Sequence, residues 1–276
     1  MNIFIINPKA GNKKGVELIP SLMNLDDTLI HVTKNKGEAI TFLQEITKKY
    51  PNSIVYSVGG DGTLNEVVNG IYGSNSKLHV VPFGSGNDYY KIIKDVSTKK
   101  VSIGDVNGKK FINIASLGVD AKIVDVVNKD KIQFLKYQRN ILKSLLTYEK
   151  EEVLLDNNRY LINILAICLG KYYGNGVPIN PNYCLDKENF NVIVANNMTR
   201  LEEIICFLKI FKGTHFLDKK VNTFRTSNLE IKSLVPILCE VDGEVFKDDY
   251  FNFKVINEGI TITNEIPNKV KKIIYK

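Results

Sequence analysis

Along the first hundred residues, short apolar runs alternate with stretches whose apolar residues recur every three or four positions. Asn2–Ile6, Thr28–Thr33, Ser53–Val58 and Leu78–Pro82 read as strands. Gly37–Tyr50 places Ala39, Ile40, Leu43, Ile46 and Thr47 on one helical face, and Thr63–Tyr72 does so with Leu64, Val67, Val68 and Ile71. This alternation predicts parallel strands joined by right-handed crossovers, an α/β sheet whose ligands bind beyond the carboxyl ends of its strands. From about Val101 the pattern changes. Val101–Val106, Lys110–Leu117, Tyr160–Leu169, Asn191–Ala195, Val221–Phe224, Asn228–Ile231, Ile237–Val241 and Tyr250–Ile256 are strand-like, interrupted by helical patterns at Ile132–Tyr148 and Leu201–Lys212. Many short strands with few helices predict an antiparallel sandwich or barrel. The boundary is expected near Lys99–Lys100, giving an α/β domain over 1–100 and a β-rich domain over 101–258.

Composition narrows the class without naming it. A chain of 276 residues with 44% hydrophobic and 24% charged residues has the balance of a globular protein, with room for two cores. Apolar stretches such as Leu165–Leu169 fall far short of the ~20 residues that cross a bilayer, and Met1–Ile6 lacks the basic flank and cleavage site of a signal peptide. Cys168, Cys184, Cys206 and Cys239 form no C-x-x-C pair, which fits reduced thiols in a cytoplasm. His31, His79 and His215 are too scattered for a local metal motif and are expected to be packed or surface imidazoles. The net charge of +7 favours encounters with polyanions, whether nucleotides, nucleic acid or an anionic membrane. Lysines spread singly or in pairs are equally the pattern of a solvated surface.

The chemistry lies in three loops, each following a strand. Ser57-Val58-Gly59-Gly60-Asp61-Gly62-Thr63-Leu64-Asn65-Glu66 opens a helix, whose unpaired N–H groups suit phosphate oxygens. Its glycines allow positive φ and close backbone approach. Asp61 would repel a bare phosphate, so a magnesium bridge to a triphosphate is the expected occupant. Pro82-Phe83-Gly84-Ser85-Gly86-Asn87-Asp88 supplies more backbone donors and a second acid, and Asn7-Pro8-Lys9-Ala10-Gly11 follows the first strand. No Walker A loop occurs, and Tyr89 stands where a dinucleotide fingerprint would have its last glycine. Glu240-Val241-Asp242-Gly243-Glu244 reads as a strand entering a turn, and taken alone is as readily an acidic hairpin as a site.

These blocks resemble the diacylglycerol kinase catalytic-domain family of bacterial lipid kinases, related to sphingosine kinases and more distantly to NAD kinases. The matching segments are Asn7–Gly11, Gly59–Gly70, Gly84–Asp88, Asn113–Ala121 and Val241–Glu244, in family order over nearly the whole chain. The resemblance implies an N-terminal nucleotide-binding α/β domain, to which residues 259–276 return, and a C-terminal β-rich sandwich domain that binds lipid, with the active site in the cleft between them. It implies ATP and Mg2+ as cofactors. Asn7, Pro8, Gly11, Thr33, Gly59, Gly60, Asp61, Gly62, Thr63, Leu64, Asn65, Glu66, Gly84, Ser85 and Asn87 would form the nucleotide site. Asp61, Asp88 and Asp242 would hold the magnesium network, and Glu244 and Asp61 would carry catalysis, with Glu244 the general base on the lipid hydroxyl. In one departure, Lys187 replaces a metal-binding Asp of the family's structural metal turn. Either its ammonium substitutes for the cation, or Asp186 or Glu188 binds it.

The expected function is transfer of the ATP γ-phosphate to a lipid hydroxyl, with diacylglycerol the first substrate and a sphingoid base, phosphatidylglycerol or a polyprenol as alternatives. A nucleotide-binding lipid sensor without turnover and a kinase of a soluble substrate such as NAD are the competing readings. Expected partners are a lipid alcohol, transiently a membrane surface, and a second copy in a homodimer, with no nucleic acid. The expected location is cytoplasmic, peripherally associated with the inner face of the membrane. Leu201–Lys212, with Leu201, Ile204, Ile205, Leu208 and Phe211 on one face, and Ile132–Tyr148, with Lys136, Arg139 and Lys143, could lie on anionic headgroups. Core packing is the more ordinary use of such stripes.

Overall fold

The computed structural model describes residues 1–130, 144–185 and 188–275. Backbone contacts divide the chain into two compact units, Met1–Ile103 with Lys110–Ile112 and Ile256–Lys276, and Gly104–Lys109 with Asn113–Val255. Most of the helix expected over Ile132–Tyr148, and the turn residues Asp186 and Lys187, lie outside the described residues.

In the first unit β1 (Asn2–Ile6), β2 (Thr28–Val32), β3 (Ile54–Gly59) and β4 (Lys77–Pro82) form a parallel sheet in the order β2-β1-β3-β4. The crossovers carry α1 (Lys14–Glu17) and α2 (Ile19–Leu22), then α3 (Glu38–Lys49), then α4 (Asp61–Ile71), and α5 (Tyr90–Ile93) follows β4. Ile3, Phe4, Ile5 and Ile6 are all fully buried, as expected of a strand covered on both faces. Phe4 and Ile6 share a core with Leu22, Tyr56, Val58 and Val81, and that core is completed by Val270 and Ile274 from the helix Asn268–Ile274.

The returning segment is fastened by side chains as well as by pairing. Thr261 and Ile262 lie parallel to Lys77 and Leu78. Buried His79 donates from Nδ1 to the Thr263 carbonyl (2.8 Å), leaving Nε2 to accept from the Tyr275 hydroxyl (3.0 Å). Burial holds the His79 pKa below its ordinary value, so the ring is kept neutral.

The second unit is antiparallel. β5 (Thr98–Val106) and β6 (Lys109–Phe111) precede β7 (Ile114–Gly118), β8 (Glu151–Leu155), β9 (Asn158–Cys168), β10 (Phe190–Asn196), β11 (Val221–Thr226), β12 (Asn228–Val241) and β13 (Glu244–Thr263). The order is β11-β10-β9-β7-β12-β13, and β8 pairs with both β9 and β12, so β7, β9, β8 and β12 close a ring of pairings. β12 achieves this by breaking register between Lys232 and Ile237, across Pro236, which has no N–H to give a ladder. Pairings with β13 on both sides of the break make one bent strand of the two expected at Asn228–Ile231 and Ile237–Val241.

Other departures also have local causes. The strand expected over Lys110–Leu117 is divided, because Asn69 brackets the Lys110 backbone (Nδ2 to the carbonyl 2.9 Å, Lys110 N–H to Oδ1 3.0 Å) and ties it to the first unit. β8 and α6 (Val119–Asp130) were not expected. α7 (Arg200–Phe211) starts on a capping box, with Thr199 and Glu202 each accepting a backbone N–H at the other's position. Its orientation differs from the core-packing expectation: Glu203, Cys206 and Ile210 are buried, whereas Leu201, Ile205, Leu208 and Phe211 are exposed. The four cysteines are free, with Cys168, Cys206 and Cys239 buried. Among the described residues no helix is long and apolar enough to cross a membrane.

Candidate active site

In the first unit the expected nucleotide residues gather where the parallel strands end. Thr33 follows β2 and donates its N–H to the Ile6 carbonyl at the end of β1 (3.0 Å). Asn7, next in line after Ile6, donates through Nδ2 to Thr63 Oγ1 (3.3 Å) and accepts on Oδ1 from the Lys9 N–H (3.0 Å), so the first loop is tied to the start of α4. Phe83 and Gly84 N–H both donate to the Gly59 carbonyl (2.9 and 3.0 Å), which ties the loop after β4 to the end of β3.

The glycines of the loops after β3 and β4 serve close approach here rather than unusual torsions, whereas Gly11 sits at φ 55°. Gly60 is extended, at φ −103° and ψ −166°. A Cβ on Gly60 would stand 3.0 Å from the Gly84 Cα, and one on Gly84 would run into the Gly60 Cα. The two loops therefore touch backbone to backbone, which only a pair of glycines permits. Asn87, at φ 50°, staples its own loop by accepting from Gly84 N–H (2.9 Å) and donating to the Gly84 carbonyl (2.7 Å).

The two acids expected in these loops are linked. The Asp88 N–H donates to Asp61 Oδ1 (2.9 Å), and the buried Asp88 carboxylate is paired with Lys91 (2.8 Å). At the first turn of α4 the Gly62 and Thr63 N–H groups precede the first intrahelical bond, Leu64 N–H to the Gly60 carbonyl (3.0 Å). Such a turn is a site for phosphate oxygens. Several expected contacts have other duties: Leu64 is buried, Asn65 Nδ2 donates to the Lys110 carbonyl (3.1 Å), and Glu66 accepts from the Gly37 N–H (2.9 Å). Ser85 and Gly62 are exposed and Pro8 and Gly11 half-buried.

In the second unit, Asp242 (φ 48°) and Gly243 (φ 92°) form the tight two-residue turn between β12 and β13. Asp242 Oδ1 accepts from the Asn113 N–H (3.1 Å) and the Ile114 N–H (3.0 Å), and its own N–H donates to the Ile114 carbonyl (3.0 Å). That carboxylate thus fixes the turn against β7. Glu244 opens β13 opposite Val241 and is half-buried.

Two acids not expected at the site stand beside this turn. Glu240 is buried, accepts from the Gly243 N–H and from Ser116 Oγ (3.2 Å), and has its pKa pushed up to about 8 by burial, with the Asp242 and Asp120 charges adding to it. Asp120, in the first turn of α6, accepts from the Tyr173 hydroxyl (3.3 Å) and is raised to about 7, again by burial. Buried acids with raised pKa cluster at functional sites. The available signal was an acid between the apolar strand residues Cys239 and Val241. Among the described residues no three His, Cys, Asp or Glu side chains form a metal-binding group.

The chain is similar to known proteins over most of its length. The family described as "Diacylglycerol kinase catalytic domain" matches residues 2–112, and "YegS C-terminal NAD kinase beta sandwich-like domain" matches residues 113–263. A Staphylococcus epidermidis protein named diacylglycerol kinase is 28% identical, covering 94% of this chain and 90% of its own. One of the same name from Bacillus subtilis is 26% identical over 79% of each chain. A solved Bacillus anthracis structure, titled as a diacylglycerol kinase, superposes with TM-score 0.72 at 21% identity over 95% of this chain and 96% of that one, and shares its fold. With the two family matches running from residue 2 to residue 263, the chain belongs to the diacylglycerol kinase catalytic-domain family of lipid kinases.

Proposed function

We propose that the protein transfers the γ-phosphate of ATP to a lipid hydroxyl, with diacylglycerol as substrate and phosphatidic acid as product. The observation that carries this reading is the meeting of the Gly59–Thr63 and Pro82–Asp88 loops, backbone to backbone, with Asp61 and Asp88 joined at the junction. Phosphoryl transfer asks little covalent work of a protein and much positioning and charge neutralisation. The N–H groups at the start of α4 would bind phosphate oxygens, with Asn7, Thr33 and Ser85 around them.

Asp61 and Asp88 offer the hard oxygen donors that Mg2+ prefers, and they would hold it. When bound, the ion would neutralise charge on the phosphates. Asp242 is a weaker candidate for a ligand, since Oδ1 is already shared by two backbone amides. Its contribution is to place Glu244, whose carboxylate would take the hydroxyl proton late in the transfer, as charge moves to the phosphate. A substrate with long acyl chains lies in a bilayer, so the reading includes peripheral association with a membrane.

The test is incubation with labelled ATP, Mg2+ and a panel of micellar lipids, beside Glu244→Ala. Phosphorylated diacylglycerol from the unmodified protein is expected, with turnover lower by roughly 10²–10⁴-fold in the variant, the usual contribution of a positioned base. ATP binding without transfer to any lipid would overturn the reading in favour of a nucleotide-binding sensor.

A further inference from the structure

α7 is apolar on two opposite sides. Cys206 and Ile210, with Phe207, pack into the core of the second unit beside Met198, Ile193 and Val221. Half a turn away, Leu201, Ile205, Leu208 and Phe211 remain 68%, 42%, 59% and 51% exposed. Spacings of four, three and three residues keep them along one stripe. A helix on a globular surface normally turns polar residues outward. Leu217, in the short turn His215–Leu217 that packs against the helix, adds another side chain at 72% exposure.

The charges around the stripe select what covers it. Each acid of this stretch is already paired: Glu203 with Arg200 (3.3 Å), Asp218 with Lys209 (2.7 Å) and Glu202 with Lys220 (2.7 Å). Lys212 and Lys219 have no ion pair among the described residues and are exposed. Lys212 lies one helical turn beyond Leu208, in line with the stripe, and Lys219 follows Leu217 by two residues. An apolar strip ending in uncompensated cations matches the boundary of an anionic bilayer, where aliphatic side chains enter the acyl region and lysines reach the headgroups.

We propose that this face of α7 is the surface by which the protein docks on an anionic membrane. The inference rests on the lipid-kinase reading for its purpose, since the substrate is held in the membrane, but its geometry is independent of that reading. It assigns docking to the acidic phospholipid surface itself and not to a protein receptor.

The intact protein is floated with phosphatidylcholine vesicles containing phosphatidylglycerol, beside Leu201→Glu/Leu208→Glu, Lys212→Glu/Lys219→Glu and a control, Leu234→Glu/Val235→Glu. The control changes the most exposed apolar pair elsewhere in the same unit, 91% and 63% exposed at the bend of β12. Because all these side chains face solvent, melting temperatures stay within a few degrees. The apolar variant is expected to lose binding at least about tenfold. The lysine variant loses at least about 25-fold, about fivefold for each cation removed near the surface, and the control binds as the unmodified protein does. Unchanged flotation of both α7 variants overturns the proposal. So does a change in sedimentation mass without a change in vesicle binding, which would assign the face to a second copy of the chain. Flotation needs no turnover, so a failed kinase assay with normal flotation sinks only the kinase reading. If both hold, the variants phosphorylate a short-chain, water-soluble diacylglycerol at the normal rate and fail on bilayer substrate.

Discussion

The two units place their polar groups by opposite means. In the first, the candidate phosphate site is mostly main chain: strand ends, a helix start and two glycines close enough that a Cβ on either meets the other loop. In the second, the turn at Asp242–Gly243 is held by buried carboxylates, with Asp242 anchoring β7 and Glu240 anchoring the turn from within. Main-chain donors cost little to keep wherever water can satisfy them. Buried acids cost desolvation whether or not a ligand is present, and Glu240 and Asp120 offset it by taking up protons near neutral pH. The candidate phosphate site and the buried acids are thus separated along the chain.

The largest effect on binding that sharpens this contrast is expected from Gly84→Ala. The added methyl meets the Gly60 Cα, backbone that cannot swing aside, and parting the loops would cost about 1–3 kcal/mol. ATP affinity measured by titration calorimetry should fall at least about tenfold, with the second unit unaffected. Retained affinity would break the idea that loop-to-loop contact builds the phosphate site.

A loss of stability as large or larger is expected from Asp242→Ala, which leaves the Asn113 and Ile114 N–H groups without their acceptor. Hydrogen bonds to a charged group are worth about 1.5–3 kcal/mol. Asp242→Asn keeps an oxygen there and should recover much of that in urea unfolding. If Ala and Asn are equally harmful, the carboxylate charge matters more than the anchor.

Glu240→Gln is read as a slope against pH. The folded pKa of about 8 lies above the unfolded value of 4.5, so the folded state binds the extra proton between them. Its contribution is complete below pH 4.5 and is lost as pH rises through about 8. Asp120 acts in the same direction between 3.8 and about 7. His79, held below its ordinary 6.5, acts oppositely and destabilises as pH falls beneath that value. Glu240→Gln should therefore flatten the fall in melting temperature between about pH 4.5 and 8 and leave the profile below pH 4.5 unchanged.

The same contrast explains what could be seen in the sequence. Strands covered on both faces read as apolar runs, and glycines between a strand and a helix announce a loop, so β1–β4 and the Gly59–Thr63 turn were legible. Glu240 and Asp120 were not, because their meaning depends on Ser116, Gly243 and Tyr173, and the last is remote in sequence from Asp120. Asn65 shows the limit of motif reading: its position matches the family block, yet its amide holds the Lys110 carbonyl. α7 shows another limit, since a stripe of Leu201, Ile205 and Leu208 cannot announce whether it faces inward when Cys206, Phe207 and Ile210 offer a second one. Pro236 marked a break in β12, but the pairing of both arms with β13 is a tertiary fact.

The core that Val270 and Ile274 complete beneath β1 and β3 has a consequence for biosynthesis. A ribosome makes β1–β4 first, yet the last side chains of that core emerge only after the whole second unit has been translated. The nascent α/β sheet must wait with one face partly uncovered, while β7–β12 have their partners available sooner. The unit synthesised first is the one finished last, and a message cut short after the second unit would yield a finished second unit attached to an incomplete first one.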